Sequence, residues 1–366
     1  SIAAPLASAE RVLGAYIFAR HGDRTPKIMG DTRLTDLGYA QVFDTGSFYH
    51  DRYIDSSSAK HIQGISPNLV NLKQVQVSSP EDAVIQNSGT GFLQGLYPPV
   101  GSTLNTETLA NGTTVSTPLD GYQLIPQSTV NFGAGSENSN WLQSTNGCPK
   151  AVVSSNNYFI SDQYNELLSK TKDFYESLAP VLSGEFNESS RSYFNAFTIW
   201  DYLNVAEIHN STADFPHKHL LTKEVLHQLL VLANAHEYGL AYNASEPVRA
   251  IAGAVLAGDI LESLNNTVHS EGELLGLQFG SYGTFLSFFG LMQLPAASVD
   301  FTGMPTYASS MVFELVTNAT GSGVPDESEI SVRFTFHNGT IDGSTGGPSV
   351  YPLFGRSDEL ISWPDF

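Results

Sequence analysis

Apolar residues along the chain form runs and alternations that are typical of β-strands. Residues 12–19 are a nearly continuous apolar run, which predicts a strand buried on both faces of a parallel sheet. Residues 274–279 form a similar run, and residues 75–78 alternate between apolar and polar side chains. Residues 311–317 and 330–337 also alternate, so we expect them to form an antiparallel pair at the sheet edge.

Apolar residues at helical spacing separate these strands. A Ser-Pro-Glu-Asp loop at residues 79–82 has the features of a helix start, so a helix is predicted over residues 83–96. Further helical patterns occupy residues 32–54, 161–178, 191–208, 222–236, a stretch beginning at 246, and 284–294. Residues 97–157 lack regular periodicity and are rich in Gly, Ser, Thr, Asn and Pro, which indicates an excursion over the surface.

Strands and helices in this order predict an α/β protein with two parts. A chain of 366 residues favours one large α/β body plus a smaller second lobe. We assign residues 1–98 and 246–366 to the α/β core domain. Residues 99–245 are assigned to the surface excursion and to a mostly helical lobe.

The charge balance restricts the classes of partner. The chain has 17 basic and 37 acidic residues, a net charge of −20 at neutral pH, so it lacks the basic footprint that nucleic-acid binding requires. No apolar stretch is long enough to span a bilayer, and we expect no membrane partner. An anionic ligand would be repelled at long range, so only local arginines could attract it.

Potential glycosylation sites favour an extracellular protein. Asn-x-Ser/Thr triplets occur at Asn111, Asn187, Asn210, Asn243, Asn265, Asn318 and Asn338. Seven such sites favour a glycoprotein of the secretory pathway, either secreted or associated with the cell wall. Cys148 is the single cysteine, so the chain has no internal disulfide, and a large core does not need one.

Reactive side chains cluster in the loop that follows the first predicted strand. Within residues 20–26, Arg20 and Arg24 flank His21 and Asp23. Polar groups just past the carboxyl end of a buried strand lie where open α/β sheets bind ligands. Guanidinium groups match phosphate oxygens, and a neutral imidazole is a competent nucleophile. The loop therefore indicates a site for an anionic ligand, and nothing in the sequence predicts a metal ion or another cofactor.

The Arg-His-Gly-x-Arg-x-Pro pattern of residues 20–26, called the signature loop below, resembles that of the histidine acid phosphatases, which include fungal phytases and related acid phosphatases. The resemblance implies a histidine-phosphatase-like sheet flanked by helices, with a smaller, mostly helical second lobe. It implies that His21 is the nucleophile and that Arg20 and Arg24, with Thr25, hold the phosphate. Secreted fungal phytases are usually rich in disulfides, and this chain differs from them in that respect.

Two other parts of the family pattern are missing. The family usually has a third arginine at the start of the helix after the second strand, where this chain has Ala83, or Asp82 if the register slips. A His-Asp pair closes the family's late strand, its histidine binding phosphate and its aspartate protonating the leaving oxygen. The matching turn of this chain carries Ser281 and Tyr282 instead. The resemblance thus implies a degenerate active site.

These replacements predict slow phosphate-ester hydrolysis. Loss of a general acid typically costs about 10²–10⁴-fold in rate. Tyr282 is a poor substitute because the ordinary pKa of tyrosine is about 10. Asp23 lies closer to the nucleophile and is a candidate acid, although an ion pair with a neighbouring arginine is the role we favour for it.

Three functions are compatible with these residues. The first is a secreted phosphatase relative, a hydrolase with weak or narrow phosphomonoesterase activity that depends on His21, Arg20 and Arg24. The second is an enzyme adapted to a neutral sugar or polyol, with Glu81 and Asp82 as acid and base. The third is a non-catalytic pseudoenzyme that keeps the pocket for binding a small molecule.

Overall fold

A mixed α/β sheet is the centre of the computed structural model, which describes residues 10–130, 148–323 and 325–366. Its central strand is the apolar run near the amino end. The described strands are β1 Arg11–Arg20, β2 Val75–Pro80, β3 Thr106–Thr108, β4 Thr114–Ser116, β5 Ser128–Val130, β6 Leu275–Gly280, β7 Ser310–Thr317, β8 Ile330–His337, β9 Ser349–Val350 and β10 Leu360–Ser362. All five strands predicted from the sequence are confirmed.

The strand order brings the carboxyl ends of four parallel strands to one edge of the sheet. The order is β10-β8-β7-β1-β6-β2-β5, with β9 paired to β8, while β3 and β4 form a separate hairpin. Strands β1, β6, β2 and β5 are parallel, whereas β7, β8 and β10 run antiparallel to their neighbours. The predicted pair β7–β8 forms, but its place at the sheet edge was wrong, because β7 pairs with β1 and β10 covers β8.

Twelve α-helices surround the sheet in the described part of the chain. They are α1 Asp36–Tyr49, α2 Ala83–Leu96, α3 Gly101–Leu104, α4 Pro118–Gly121, α5 Pro149–Asn156, α6 Asp162–Lys170, α7 Lys172–Ser177, α8 Ala179–Leu182, α9 Ala196–His209, α10 Lys223–Ala241, α11 Ile251–Val268 and α12 Tyr282–Leu291. Helix α2 has the predicted bounds, because the Asp82 side chain accepts a hydrogen bond from the Ile85 backbone and caps the first turn. Helix α12 begins two residues before the predicted start, directly after β6.

Strand β1 contributes side chains to two different cores. Ile17 packs with residues of α1 and α2 on one face of the sheet, and Phe18 packs with residues of α11 and α12 on the other. Alternate residues of a strand point to opposite faces, so a strand covered by helices on both sides must be apolar throughout. The continuous apolar run that predicts β1 is the direct result of this burial.

A third core lies in the helical region between residues 149 and 241. Aromatic and aliphatic side chains of α6, α9 and α10 form it, together with Tyr282 and Leu286 of α12. The helical region therefore packs on the helix that follows β6. Because α12 begins just past the carboxyl end of β6, this contact brings the helical region to that edge of the sheet.

Helix composition and the exposure of the asparagines are relevant to the membrane and glycan predictions. None of the described helices is both long enough and apolar enough to cross a membrane. The side chains of Asn210 and Asn243 are half-buried, and those of the other five glycosylation triplets are exposed.

Backbone contact between two glycines fixes the signature loop against α1. A Cβ atom on Gly22 would lie 2.2 Å from the carbonyl oxygen of Gly38, and one on Gly38 would lie 2.1 Å from the carbonyl oxygen of Asp23. A Cβ atom cannot lie this close to a backbone oxygen. The backbone cannot move aside as easily as the end of a flexible side chain can. The loop and the start of α1 therefore require glycine at both positions.

We expect Gly38→Ala to lower the free energy of unfolding by about 1–3 kcal/mol, because the added methyl group forces the loop and α1 apart. Gly258→Ala is the matched control, since this glycine of α11 is exposed and no described atom beyond its own stretch of helix lies within 4 Å of the added Cβ. Alanine there should stabilise the helix by about 0.5–1 kcal/mol. Urea unfolding monitored by circular dichroism measures both changes, and an unchanged stability of Gly38→Ala would contradict the close approach.

Candidate active site

The signature loop starts at the carboxyl edge of the sheet and is buried. The His21 backbone N–H donates to the carbonyl oxygen of Gly280, which ties the loop to the end of β6. Arg20, His21, Asp23 and Arg24 are each at most 3% exposed. Four ionisable groups so deeply buried require partners or a ligand, because an unpaired buried charge is costly.

His21 has the protonation state of a nucleophile. Its Nδ1 lies 2.8 Å from the carbonyl oxygen of Gly22, and because this oxygen can only accept, Nδ1 carries the hydrogen. Burial lowers the pKa of His21 well below its usual 6.5, and the charges of Arg20 and Arg24 lower it further. The neutral ring then carries its lone pair on Nε2, which is the nitrogen able to attack an electrophile.

Arg20 is a buried cation with unused donors. Its guanidinium lies over the rings of Tyr307 and Tyr282, 4.6 and 5.4 Å from their centroids, and donates to the carbonyl oxygen of Pro305. Burial lowers the pKa of Arg20 to about 10, so it stays protonated at neutral and acid pH. Its Nε and Nη2 atoms have no hydrogen-bond partner among the described residues. These two atoms can donate to an anionic ligand.

Arg24, in contrast, is paired inside the protein. Its Nη2 lies 2.9 Å from Oδ1 of Asp201, and its Nη1 donates to Oδ2 of the same carboxylate at 3.2 Å. The Lys27 backbone N–H also donates to Oδ2, at 2.8 Å. Although burial opposes the charge of Arg24, Asp201 and Tyr307 raise its pKa above the usual value. A carboxylate of α9 therefore compensates the charge that the resemblance assigns to phosphate binding.

Asp23 pairs with no arginine in the part of the chain that the structure describes, so the ion pair that we favoured from the sequence was wrong. Its Oδ2 lies 2.6 Å from Nε2 of His209 and accepts a hydrogen bond from Oγ1 of Thr35 at 2.5 Å. The reason is that α9 supplies partners to both residues, Asp201 to Arg24 and His209 to Asp23.

The hydroxyl of Thr25 also has a partner, in the segment between the signature loop and α1. Its Oγ1 accepts from the Arg33 backbone N–H at 2.9 Å, and its carbonyl oxygen accepts from Arg24 at 2.9 Å. Thr25 thereby ties the signature loop to the segment that leads to α1.

Ser281 and Tyr282 follow β6, as the sequence predicts. Ser281 is buried, and its Oγ has no hydrogen-bond partner among the described residues. The hydroxyl of Tyr282 donates to Oε2 of Glu237 at 2.9 Å. Burial and then Glu237 raise the pKa of Tyr282 well above 10, so this tyrosine is a poor proton donor. The structure thus places the neutral hydroxyl of Ser281 and the weakly acidic hydroxyl group of Tyr282 on residues that neighbour Arg20.

The residues around the expected third arginine lie at the start of α2. Glu81 and Ala83 are exposed, and the half-buried Asp82 caps the helix. Ser79, at the end of β2, is buried, and its Oγ has no hydrogen-bond partner among the described residues. The second strand therefore contributes a buried hydroxyl at this edge.

The chain does contain a His-Asp dipeptide, His50–Asp51, away from the turn after β6. It lies in the π-helical turn His50–Ile54 that continues α1, and Nδ1 of His50 is 2.8 Å from the carbonyl oxygen of Leu96. Position 50 is about 18 Å along the helix axis from Gly38, at 1.5 Å per residue. This pair cannot replace the one missing beside the signature loop.

Four functional neighbours escaped the sequence reasoning: Asp201, His209, Glu237 and Tyr307. Asp201 gave a signal that could have been used, because it is a carboxylate within an apolar helical segment, between Trp200 and Tyr202. Tyr307 lies in a loop, with its ring 5.7 Å from that of His21, and no periodic pattern marks it.

The lowered pKa of His21 makes stability depend on pH. Because the folded state binds this proton less readily than the unfolded chain, folding loses stability as the pH falls below about 6.5, by up to about 1.4 kcal/mol per pH unit. We expect the stability of the native protein relative to His21→Gln to decrease over this range. Urea unfolding between pH 7.5 and 4.5 measures it, with His269→Gln, whose native side chain is 49% exposed, as control. A constant difference between native protein and His21→Gln would contradict a neutral buried His21.

The fold is similar to that of several solved phosphatases. The phytase of Klebsiella sp ASR1 aligns with 13% identity over 89% of this chain and 83% of its own, with a TM-score of 0.58. The Citrobacter braakii phytase aligns with 15% identity over 89% of this chain and 85% of its own, with a TM-score of 0.57. The Bifidobacterium longum multiple inositol polyphosphate phosphatase, in complex with inositol hexasulfate, aligns with 12% identity over 93% of this chain and 89% of its own, with a TM-score of 0.55. Identities this low show the shared fold alone.

Sequence comparison gives the family. No curated protein sequence matches the chain. The profile of the histidine phosphatase superfamily (branch 2) matches residues 27–337, which begin directly after the signature loop and include most of the chain. The predicted resemblance and α/β fold class are thus confirmed, and the chain belongs to branch 2 of the histidine phosphatase superfamily.

Proposed function

We propose that this protein is a phosphomonoesterase of low rate or narrow substrate range that uses His21 as phosphoryl acceptor. The observation that carries the proposal is the neutral His21, with hydrogen on Nδ1 and a lone pair on Nε2, beside the protonated Arg20. Attack by Nε2 forms a nitrogen–phosphorus bond and breaks the ester phosphorus–oxygen bond. Water then cleaves the nitrogen–phosphorus bond, which releases phosphate and regenerates His21.

Neutral hydroxyl groups take the place of cations in this scheme. Arg20 supplies one positive charge and two donors without partners among the described residues. The buried hydroxyls of Ser281 and Tyr307 likewise lack partners there, and both residues neighbour Arg20, through β6 and through ring contact. We assign these groups to the non-bridging phosphate oxygens. Donors aimed at developing charge each contribute about 10²–10³-fold in rate.

Two features account for the low rate. Asp201 compensates Arg24, so of the two arginines of the signature loop Arg20 alone offers a dianion an uncompensated guanidinium, whereas the family pattern offers several. The leaving oxygen also needs a proton, and Tyr282 is a poor donor. Since Asp23 is bound to His209 and Thr35, we assign it a positioning role rather than that of the acid. Leaving groups that are stable as anions should therefore react fastest.

Binding without turnover is the second candidate function. The observation that favours it is the Arg24–Asp201 pair, which occupies one of the two signature arginines with an internal anion. A protein with such a pair can hold a small anion on Arg20 without stabilising a phosphoryl transition state. The sugar-directed alternative has weaker support, because Asp82 serves as the cap of α2 and Glu81 is exposed.

Phosphate release from 4-nitrophenyl phosphate at acid pH distinguishes these candidates. We expect turnover well below the typical enzyme value of about 10 s⁻¹, and its complete loss in His21→Ala, which has no phosphoryl acceptor. His269→Ala, which removes an exposed histidine, is the matched control and should keep native activity. Release that persists in His21→Ala would overturn the assignment of the nucleophile. No release by the native protein, combined with measurable phosphate binding, would favour the second candidate.

A further inference from the structure

A cavity of 370 Å³ adjoins the candidate active site. Arg20 and Tyr307 belong to its wall, and the Tyr307 ring is 5.7 Å from that of His21. A volume in this range is typical of small-ligand pockets, which run from about 300 to 1,000 Å³. The cavity also shares wall residues, among them His227 and Leu230, with a larger open groove of 1,040 Å³. A molecule whose phosphate lies on Arg20 would therefore extend its body into this cavity.

The cavity wall carries little charge, and half of its residues are apolar or aromatic. Of its fourteen described residues, Arg20 and His227 are the basic ones, and none is a lysine, aspartate or glutamate. Half of the wall is apolar or aromatic: Trp200, Ile208, Leu226, Leu230 and Met304, with Pro305 and Tyr307 beside Arg20. The polar remainder consists mainly of amide and hydroxyl side chains such as Asn204 and Thr306.

We propose that this cavity selects phosphate monoesters with an uncharged aromatic or aliphatic body and excludes polyanions such as inositol polyphosphates. The proposal rests on the proposed function, because it names the substrate class of the same site. Arg20 holds the single phosphate, and Trp200, Leu226 and Leu230 contact the body. These three are specificity-determining residues.

Charge excludes the polyphosphate. Each phosphate ester carries about one negative charge in acid and nearly two at pH 7, and one guanidinium can compensate only one such group. The remaining phosphates would lie against apolar side chains, where an unpaired charge loses its hydration without a partner. Arg24 cannot help, because Asp201 already compensates it, and the net charge of −20 adds repulsion at long range.

The apolar wall and the missing acid favour the same substrates. An aromatic body gains binding free energy in proportion to the apolar area that it buries. An aryl oxide is also a better leaving group than an alkoxide, so the phosphorus–oxygen bond can break before the oxygen takes a proton from water. An aryl phosphate thus satisfies the wall and needs no general acid.

The test compares kcat/KM for 1-naphthyl phosphate and phytate in the native protein and two lysine variants. We expect the native protein to prefer 1-naphthyl phosphate by at least about tenfold, the gain from burying one ring. Leu230 is a half-buried residue of the cavity wall, so Leu230→Lys adds a cation there and should lower this preference about tenfold or more. Leu261→Lys adds the same charge at a 46% exposed position of α11 that belongs to neither the cavity nor the groove, and it should leave the preference unchanged. A native preference for phytate would overturn the proposal.

Binding of non-hydrolysable ligands separates failure of the cavity from failure of the chemistry. By calorimetry, 1-naphthylphosphonate should bind the native protein at least about tenfold more tightly than inositol hexasulfate. In Leu230→Lys the difference in affinity between these two ligands should be smaller. This result without turnover of either ester would refute the proposed activity and keep the cavity assignment. Equal or tighter native binding of the hexasulfate would refute the assignment. If Leu230→Lys does not fold, Asn204→Lys places the cation in the same wall.

Discussion

The candidate site depends on the buried ion pair between Arg24 of the signature loop and Asp201 of α9. Both side chains are at most 2% exposed, so removing either charge leaves the other buried without compensation, which destabilises the fold. The carboxylate also accepts from the Lys27 backbone, and His209, two turns further along α9, binds Asp23. One helix thus holds the loop at two points and fixes the helical region over the sheet edge. The same contact compensates the charge that the family resemblance assigns to phosphate binding.

Local patterns predicted the elements that local physics determines. Strand β1 is apolar because helices cover both faces, and α2 starts where Asp82 can cap it, so both follow from the sequence alone. The signature loop was recognisable for the same reason, since its residues are consecutive. The partners of the loop were not, because Asp201 and His209 reach it from more than 170 residues away. The prediction that Asp23 pairs with an arginine failed for this reason. Sequence spacing does not show that α9 brings Asp201 to Arg24 and His209 to Asp23.

Low positive charge is the common property of the site and the cavity. Arg20 retains donors without described partners, while Arg24 is compensated and buried hydroxyls occupy the ends of β6 and β2. The adjoining wall is half apolar. The phytases and the inositol polyphosphate phosphatase of similar fold are named for highly charged substrates, and this chain shares their fold at 12–15% identity. Function follows the side chains placed on a fold, and the proposed substrate, one phosphate on an uncharged body, rests on these side chains rather than on the fold.

The affinity of Asp201→Asn for inorganic phosphate tests the central claim most directly, namely that an internal carboxylate occupies Arg24. Calorimetry should show phosphate binding at least about tenfold tighter than in the native protein, because the amide leaves the charge of Arg24 uncompensated. The variant should also unfold more easily, by about 3–5 kcal/mol, since a buried charge loses its partner. Unchanged phosphate affinity in a folded Asp201→Asn protein would contradict the account, because Arg24 would then lie outside the anion site.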